Sequence, residues 1–253
     1  MFLPEIFSLG KAYKQYFEIV PAYSDALKDE VFRIRHQVYC EELAFEPQRP
    51  DRRETDEYDA QSLHLLIRSI QTGEFIGCTR LVRMRPSDPY HPLPFEKACA
   101  STIDRSIIDP AQLPRDSIAE VSRLAVIARF RKRKDDKKNR PYSITDADFG
   151  TPEQPRFPYI PIGLYLGTVE LARLNGIKTL FVLTEERLAS HFRKLGVNIQ
   201  TIGGPVEHRG KRIPSMLSTA GIIDDLRMLI RPLYRVVAEE VAIHSAPSKV
   251  SVK

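Results

Sequence analysis

The sequence predicts an α/β fold in which a mixed central sheet is flanked by helices. Three observations lead to this prediction. An apolar run at 118–128 has the composition of a strand buried on both faces, an antiparallel hairpin pattern precedes it, and strand and helix patterns alternate after it. The strand at 118–128 is therefore expected at the centre of the sheet.

The first sixty residues predict two helices around one extended segment. A short amphipathic helix is expected over 3–15, followed by an extended segment at Tyr16–Val20. Ser24 can cap a helix over Asp25–Leu43, where apolar residues recur at helical spacing. Residues 46–61 are polar and rich in Arg and Asp, which is typical of a surface loop.

Strands and prolines dominate the middle of the chain. Leu63–Ile70 and Glu74–Met84 read as two strands, and the Gln-Thr-Gly turn between them predicts a hairpin. Residues 86–116 hold many prolines and one short helical piece near Phe95–Ala100.

The second half begins with an unusual segment at Arg129–Phe157, which is basic, contains several prolines and predicts a flexible insertion. The elements expected after it are a helix at Leu164–Asn175 ending at Gly176, a strand at Lys178–Thr184, a helix at Glu186–Leu195 ending at Gly196, two short strands within 198–219, and a long amphipathic helix at Ile222–His244 interrupted near Pro232.

Length and composition predict one large domain over residues 1–253, with its core at about 16–220. The chain has 253 residues, 42% of them hydrophobic and 28% charged. Its net charge of +5 suggests an acidic partner, which leaves nucleic acid, anionic lipid and an acidic carrier protein open.

The cysteine, histidine and hydropathy patterns indicate in which cellular compartment the protein is expected and whether it binds a metal. Three cysteines without CxxC spacing indicate reduced thiols, and six histidines without HxxxH or HExxH spacing predict no metal site. No apolar run reaches the length of a membrane-spanning helix, and the first residues lack the pattern of a secretory signal. A cytoplasmic protein is expected.

The central strand carries the polar residues Glu120, Ser122 and Arg123. A carboxylate in a buried strand is costly unless it is paired or used. Two interpretations stay open: a structural ion pair of Glu120 with Arg123 or Arg80, and a reaction site at the mouth of the sheet.

An ordered set of residues resembles the autoinducer-synthase-like acyltransferases. The set consists of Arg35, Val38, Tyr39 and Glu42; Phe45; Asp56, Glu57, Tyr58 and Asp59; Gly77, Arg80 and Leu81; and Glu120, Ser122 and Arg123. This family has the GNAT fold and includes acyl-homoserine lactone synthases and N-acyl amino acid synthases. Over residues 16–220 the chain looks most like the acyltransferase associated with PEP-CTERM/exosortase systems.

The resemblance implies an enzyme that transfers a fatty acyl group from acyl carrier protein to an amine. It implies a polar site made of Arg35, Asp56, Asp59, Arg80, Glu120 and Arg123. Tyr39 and Phe45 stand where the lactone synthases usually have Phe and Trp, which disfavours S-adenosylmethionine as the acceptor and favours an amino acid. A lactone synthase remains the alternative.

The residues of this polar site could take part in the attack of an amine on a thioester. Glu120 could take the proton of the ammonium group, and a backbone N–H near Val126 could meet the oxyanion. Ser122 is either a ligand of the substrate or a small strand residue, and Arg123 and Arg80 could hold Glu120 or a substrate carboxylate. Arg35, Asp56, Asp59 and Arg80 are expected to interlock and order a lid.

Substrate contacts further along the chain are expected from the strand at 178–184 and its neighbours. The acyl chain is expected to lie against Leu164, Leu166, Phe181, Leu183 and Phe192, with Thr184 as a further contact, although each apolar residue is equally suited to the core.

The donor is predicted to be the acyl-phosphopantetheine of acyl carrier protein, with acyl-CoA as the alternative and no permanently bound cofactor. The chain lacks the Q/R-x-x-G-x-G/A run that holds the pyrophosphate in many acetyl-CoA-dependent GNAT enzymes. Arg129, Arg131, Lys132 and Arg133 could attract the acidic carrier, or could simply be solvated. Nucleic-acid binding is not expected, because no aromatic residues interleave with the charges.

The helix at 222–244 leaves a third hypothesis open. Leu226, Ile230, Leu233 and Val237, with Arg227, Arg231 and Arg235, would suit a peripheral membrane contact, whereas such a helix more often covers a core. A non-catalytic module that binds carrier protein or membrane is therefore an alternative to an enzyme.

Overall fold

An eight-stranded mixed sheet organises the protein, whose computed structural model describes residues 8–131, 158–194 and 196–245. The strands are β1 Phe17–Pro21, β2 Ser62–Ser69, β3 Phe75–Val82, β4 Ile118–Val126, β5 Thr179–Thr184, β6 Gln200–Thr201, β7 Val206–Glu207 and β8 Lys211–Ser218. Their order is β1-β2-β3-β4-β5-β8-β6, and β7 pairs with β8. The predicted α/β class and the central position of the strand at 118–128 are confirmed.

The described helices are α1 Ser8–Tyr16, α2 Asp25–His36, α3 Pro94–Ala98, α4 Ala128–Arg131, α5 Tyr159–Leu174, α6 Glu186–Lys194, α7 Thr219–Asp225 and α8 Arg231–Ser245. A π-helix at Gln37–Glu42 continues α2, and three short 3₁₀ turns occupy Asp59–Gln61, Pro110–Gln112 and Arg115–Ser117.

Pairing between β4 and β5 is parallel, and the other strand pairs are antiparallel. The hairpin between β2 and β3 is confirmed, with Gly73 in the left-handed region at φ 70°. The eight-residue strand β8 corrects the expectation of two short strands within 198–219, which holds three strands in all.

The two faces of the sheet are covered by different helices. On one face, the Cys78 thiol of β3 reaches the Val31 carbonyl of α2, and Phe32 packs edge-on against His64 of β2. On the other face, Gly167 of α5 approaches Leu65 so closely that a Cβ would lie 2.6 Å from a Leu65 methyl group. Adjacent strand residues point to opposite faces, so α2 and α5 lie on opposite sides of the sheet.

Two predicted helices differ from the structure. Ser24 caps α2 as expected, by accepting a hydrogen bond from the Leu27 N–H, but the α-helix ends at His36 and the π-helix follows instead of a helix running to Leu43. The expected helix over 222–244 is divided into α7 and α8 by residues 226–230, so the break precedes Pro232.

The helix α8 packs along the outer strand β1. Glu240 of α8 accepts a hydrogen bond from the Ile19 N–H at 2.9 Å. The apolar residues proposed for a lipid surface, Leu226, Ile230, Leu233 and Val237, are all buried, so that expectation is wrong for this stripe, which covers the core. Within the described parts of the chain, no helix is long and apolar enough to cross a membrane.

The expected insertion at 129–157 falls largely outside the described residues. Its first three residues belong to the short helix α4, and the description of the chain resumes at Pro158, directly before α5.

Candidate active site

The central strands β4 and β5 separate halfway along their length. Their pairing ends at Val121 and Val182, yet β4 continues to Val126. Beyond Val121 the backbone of β4 faces a gap on the β5 side. Such a gap can admit an extended arm of a substrate between two strands.

A β-bulge in β4 marks the same place. Ser122 pairs with Arg80 and Ala125 with Cys78, so Arg123 and Leu124 together oppose the single residue Thr79 of β3. Arg123 adopts φ 54°, in the left-handed region that non-glycine residues rarely occupy. The bulge turns the Arg123 side chain out of the regular alternation of the strand.

A cavity of about 340 Å³ fills the gap and reaches both faces of the sheet. Its polar arm is lined by Asp56, Tyr58, Arg80, Glu120, Ser122, Arg123, His208, Arg209 and Arg212. Its apolar arm is lined by Tyr165, Leu180, Val182, Leu188, Phe192, Ile199 and Leu217, with Leu183, Val126 and Phe45 also on the cavity wall. One pocket thus joins a charged end to an apolar end.

Glu120 lies on the wall of this cavity and is 3% exposed. Its Oε2 accepts a hydrogen bond from the Phe95 N–H at 2.7 Å. Burial raises the pKa of Glu120 to about 8, and this rise exceeds the lowering by the Phe95 N–H, Arg80 and Arg123. A carboxyl group with such a pKa can exchange protons near neutral pH.

Neither ion pair expected for Glu120 is formed, because the two arginines pair elsewhere. Arg80 Nη1 donates to Asp56 at 2.5 Å and to Asp59 at 2.9 Å, and its Nε donates to Ser122 Oγ at 3.2 Å. Arg123 Nη2 contacts Asp56 at 3.0 Å. The interpretation of Glu120 as a purely structural ion-pair partner is therefore wrong.

Arg35, Asp56, Asp59 and Arg80 interlock, as the sequence predicts. Arg35 is fully buried and donates to Asp59 Oδ1 at 2.6 Å, and the same oxygen accepts from Arg80. Although burial raises the pKa of Asp59, Arg35 and Arg80 lower it to about 2. The carboxylate therefore stays charged throughout the physiological pH range.

Glu54 completes this network and was missed by the sequence analysis. It is 1% exposed, accepts from Arg35 Nε at 2.5 Å and from Arg123 Nη2 at 3.2 Å. Three arginines thus alternate with three carboxylates. Among the described residues, no group of three His, Cys, Asp or Glu side chains is placed to hold a metal ion.

Tyr39 and Phe45 both line the cavity. The Tyr39 hydroxyl donates to the Leu124 carbonyl at 2.8 Å, and the Arg123 guanidinium lies over the Tyr39 ring at 5.8 Å. The tyrosine therefore fixes the bulge in β4 and supports the side chain of Arg123.

Some residues expected to contact the acyl chain do not line the cavity. Phe181 stacks on Phe95 at 4.4 Å behind Glu120, and the Thr184 hydroxyl donates to the Glu185 carbonyl. Leu164 and Leu166 are buried in the core. Leu183 and Phe192 line the cavity, so acyl contact stays a prediction for them, whereas the other four residues do not line it.

The basic residues proposed for carrier binding divide into two groups. Arg131 is almost buried and pairs with Glu42 at 2.9 Å, so it is not available to a partner, contrary to expectation. Arg129 is half-exposed and pairs with Glu74. Lys132 and Arg133 lie outside the described residues.

Further cavity residues had no local signal in the sequence. His208, Arg209 and Arg212 belong to the short hairpin between β7 and β8, and Tyr58 lies between the two aspartates of the network. Only the concentration of charge around Gly210, in the segment His208–Arg212, could have drawn attention to the hairpin.

Part of the sequence matches a known protein family. Residues 34–137 match the family described as Acetyltransferase (GNAT) domain, and no protein of curated function matches the chain. The match includes β2, β3, β4 and the whole arginine–carboxylate network.

Solved structures agree with this match. TofI in a ternary complex with an inhibitor and MTA superposes with a TM-score of 0.56 and 19% identity, over 83% of this chain and 98% of that chain. This protein has the GNAT fold. BjaI, a CoA-dependent acyl-homoserine lactone synthase with SAM and isopentyl-CoA, gives a TM-score of 0.54 and 19% identity, over 90% of this chain and 89% of BjaI.

A third similar structure is that of FeeM, an N-acyl amino acid synthase from uncultured soil microbes. It gives a TM-score of 0.52 and 14% identity, over 84% of this chain and 96% of FeeM. At these identities the likeness establishes the fold, and the GNAT class expected from the sequence is confirmed.

Proposed function

We propose that this protein is an N-acyltransferase that moves a long-chain fatty acyl group from acyl carrier protein to the amine of an amino acid or similar small acceptor. The observation that carries the proposal is the buried carboxyl group of Glu120 on the wall of a cavity between two separated strands of a GNAT sheet. The structural likeness to BjaI and FeeM supports acyl transfer to an amine.

Glu120 acts as the general base. An ammonium group must lose a proton before its nitrogen can attack a thioester, and a base works best when its pKa lies near the operating pH. The pKa of about 8 at Glu120 meets this condition far better than an ordinary glutamate would. The proton taken from the amine can later neutralise the leaving thiolate.

The backbone of β4 beyond Val121 supports the reacting carbonyl. As the amine nitrogen bonds to the carbonyl carbon, negative charge develops on the oxygen, and a free backbone N–H in the gap can stabilise that charge. Collapse of the intermediate breaks the carbon–sulfur bond and yields an amide and a thiol. Ser122 and Val126 both line this part of the cavity.

The apolar arm holds the acyl chain. Its wall combines α5 and α6 with β5 and β8, and Tyr165 stacks on Phe192 at 4.3 Å within it. Because the arm lies on the face of the sheet opposite Glu120, a thioester reaching through the gap would present its carbonyl carbon near the base.

Acyl carrier protein is the proposed donor because the chain has a net charge of +5 and lacks the Q/R-x-x-G-x-G/A run. Acyl-CoA is the alternative donor, and the likeness to the CoA-dependent synthase BjaI favours it. The resemblance to the acyltransferase associated with PEP-CTERM/exosortase systems would make the product a component of that system.

A lactone synthase that uses S-adenosylmethionine is the second candidate function. The interlocked network matches the polar residues implied by the resemblance, and BjaI is described with SAM. Tyr39 and Phe45 argue for an amino acid instead. A module that only binds carrier protein would have no use for Glu120 on the cavity wall.

The decisive experiment supplies purified protein with a long-chain acyl carrier thioester and either pooled amino acids or S-adenosylmethionine, with acyl-CoA in parallel. Products are read by mass spectrometry. Acylated amino acids support the proposal, whereas acyl-homoserine lactone formed only with S-adenosylmethionine supports the alternative. Thioester that stays intact with every acceptor refutes both enzymatic functions.

A further inference from the structure

The hairpin between β7 and β8 carries positive charge into the polar arm of the cavity. His208, Arg209 and Arg212 come from this one hairpin, and all three line the cavity together with Arg123 of the bulge. The arginine–carboxylate network does not require the hairpin, because its three carboxylates are paired with Arg35, Arg80 and Arg123. The hairpin arginines are therefore additional to it.

The register of the sheet places Arg212 on the same face as Glu120. Glu120 is opposite Phe181 of β5, and Phe181 is opposite Met216 of β8. Since side chains alternate along a strand, Arg212 shares a face with Met216 and hence with Glu120. The charge lies where the acceptor amine would approach the base, on the side away from the acyl arm.

Each hairpin arginine forms an ion pair with a glutamate that does not line the cavity. Arg212 Nη1 pairs with Glu185 at 3.1 Å, and Arg209 pairs with Glu46. Arg209 also lies over the Tyr39 ring at 5.9 Å. A guanidinium has five N–H donors, so one ion pair orients each side chain and leaves donors for a ligand.

A side-chain atom of Arg123 is a second observation that points to a ligand at this site. Its Nε is buried and has no hydrogen-bond partner among the described residues. A buried donor without an acceptor is costly, and because Arg123 lines the cavity, an acceptor atom of a bound ligand could satisfy it. Arg123 and Arg209 also both adopt left-handed backbone conformations, at φ 54° and 53°, a strain that is typical of binding sites.

Three guanidinium groups and the imidazole of His208 lie together on this part of the cavity wall. Burial lowers the pKa of His208, and the positive charges of Arg123 and Arg212 lower it further. Glu120 is mostly protonated at neutral pH, since its pKa is about 8. An uncharged Glu120 does not repel an anion, so a ligand carboxylate could bind through the N–H donors that the ion pairs of Arg123, Arg209 and Arg212 leave unused.

We propose that Arg123, Arg209 and Arg212 bind a carboxylate of the acceptor, so that the substrates are amines bearing a free carboxylate group. The proposal rests on the acyl transfer proposed above and specifies its acceptor. Guanidinium groups bind carboxylates through paired hydrogen bonds, and an α-amino acid holds its carboxylate two bonds from the reacting nitrogen. The arginines would thus orient the amine toward Glu120.

The test compares acceptors that differ only in this group. Wild-type protein receives an acyl carrier thioester with an equimolar pool of amino acids, and separately with the pool of their primary amides. Arg209→Gln and Arg212→Gln are assayed with both pools, and Arg105→Gln is the control, because Arg105 also pairs with one carboxylate but is exposed and does not line the cavity. Thermal melting checks the folding of each variant.

We expect the wild type to acylate the acids at least tenfold faster than the amides. Loss of a charged hydrogen bond predicts a rise of about 10- to 100-fold in KM for the acids in the Arg212→Gln variant, and a much smaller change in KM for the amides. Equal rates with acids and amides in the wild type would overturn the inference while leaving acyl transfer intact. No product from either pool would reject acyl transfer, and this assignment with it.

Discussion

Replacing Glu120 with glutamine removes the proposed base while keeping the size of the side chain and an oxygen that can accept the Phe95 N–H. General base catalysis contributes about 10²- to 10⁴-fold in rate. We therefore expect kcat of the Glu120→Gln variant to fall by about that factor, while KM for the acyl donor changes little, since the apolar arm remains.

The pH dependence follows from the pKa of about 8. About a tenth of Glu120 is ionised at pH 7 and about nine tenths at pH 9, so the wild-type rate should rise nearly tenfold across this range. The variant should lack this rise.

The free energy of unfolding should fall with rising pH, whereas the reaction rate should rise. The pKa of Glu120 is raised from 4.5, so the folded state binds more protons than the unfolded state between pH 4.5 and about 8. Wild-type stability therefore falls as pH rises through this window, by at most about 5 kcal/mol, and is constant above it. The variant should be the more stable protein at pH 8.

The assay measures release of free thiol from the acyl carrier thioester between pH 6 and 9, beside urea unfolding of both proteins at pH 5 and pH 8. Asp116→Asn, at a position that does not line the cavity, is the matched control. A Glu120→Gln variant that keeps wild-type kcat and the same pH profile would refute the role of Glu120. A stability curve without the fall toward pH 8 would refute its burial.

Three further changes test the network, the packing and the apolar arm. Glu54→Gln leaves three arginines to share two carboxylates, Asp56 and Asp59, and should lower the free energy of unfolding by about 3–5 kcal/mol. Glu57→Gln, which breaks only exposed ion pairs, should cost less than about 1 kcal/mol in the same urea titration. Gly77→Ala would place a Cβ 2.8 Å from the Ala125 carbonyl oxygen and should cost about 1–3 kcal/mol, while Gly204→Ala, whose Cβ meets its nearest neighbour at 3.8 Å, should be close to neutral. Leu188→Trp fills part of the apolar arm, so product analysis with carriers of graded chain length should shift toward shorter acyl groups; unchanged preference would place the acyl chain elsewhere.

Local patterns in the sequence predicted most of the fold because the signals lie within a few residues of each other. The Ser24 cap and the turn at Gly73 are such signals, and both are present. The π-helix at Gln37–Glu42 was missed because its apolar residues continue the periodicity of an α-helix. The break between α7 and α8 was placed too late because Pro232 is accommodated in the first turn of α8.

Residues of the candidate site could be predicted from the sequence only where a polar residue interrupts an apolar pattern. Glu120 and Ser122 are unusual in a buried strand and were identified. Glu54 lies in a polar loop among other charges, and its partners Arg35 and Arg123 are 19 and 69 residues away. Nothing in the loop distinguishes it from the exposed Glu57 beside it.

The position of α8 along β1 also determines whether the edge of the sheet is open to pairing with another chain. A strand at the border of a sheet offers unpaired backbone groups to any passing chain, and proteins avoid aggregation by covering or shortening such borders. Here α8 covers one border, and at the other β6 has only two residues. A chain cut before Arg231 would keep every cavity residue yet expose β1, so precipitation of such a fragment would reveal self-association and say nothing against the catalytic architecture.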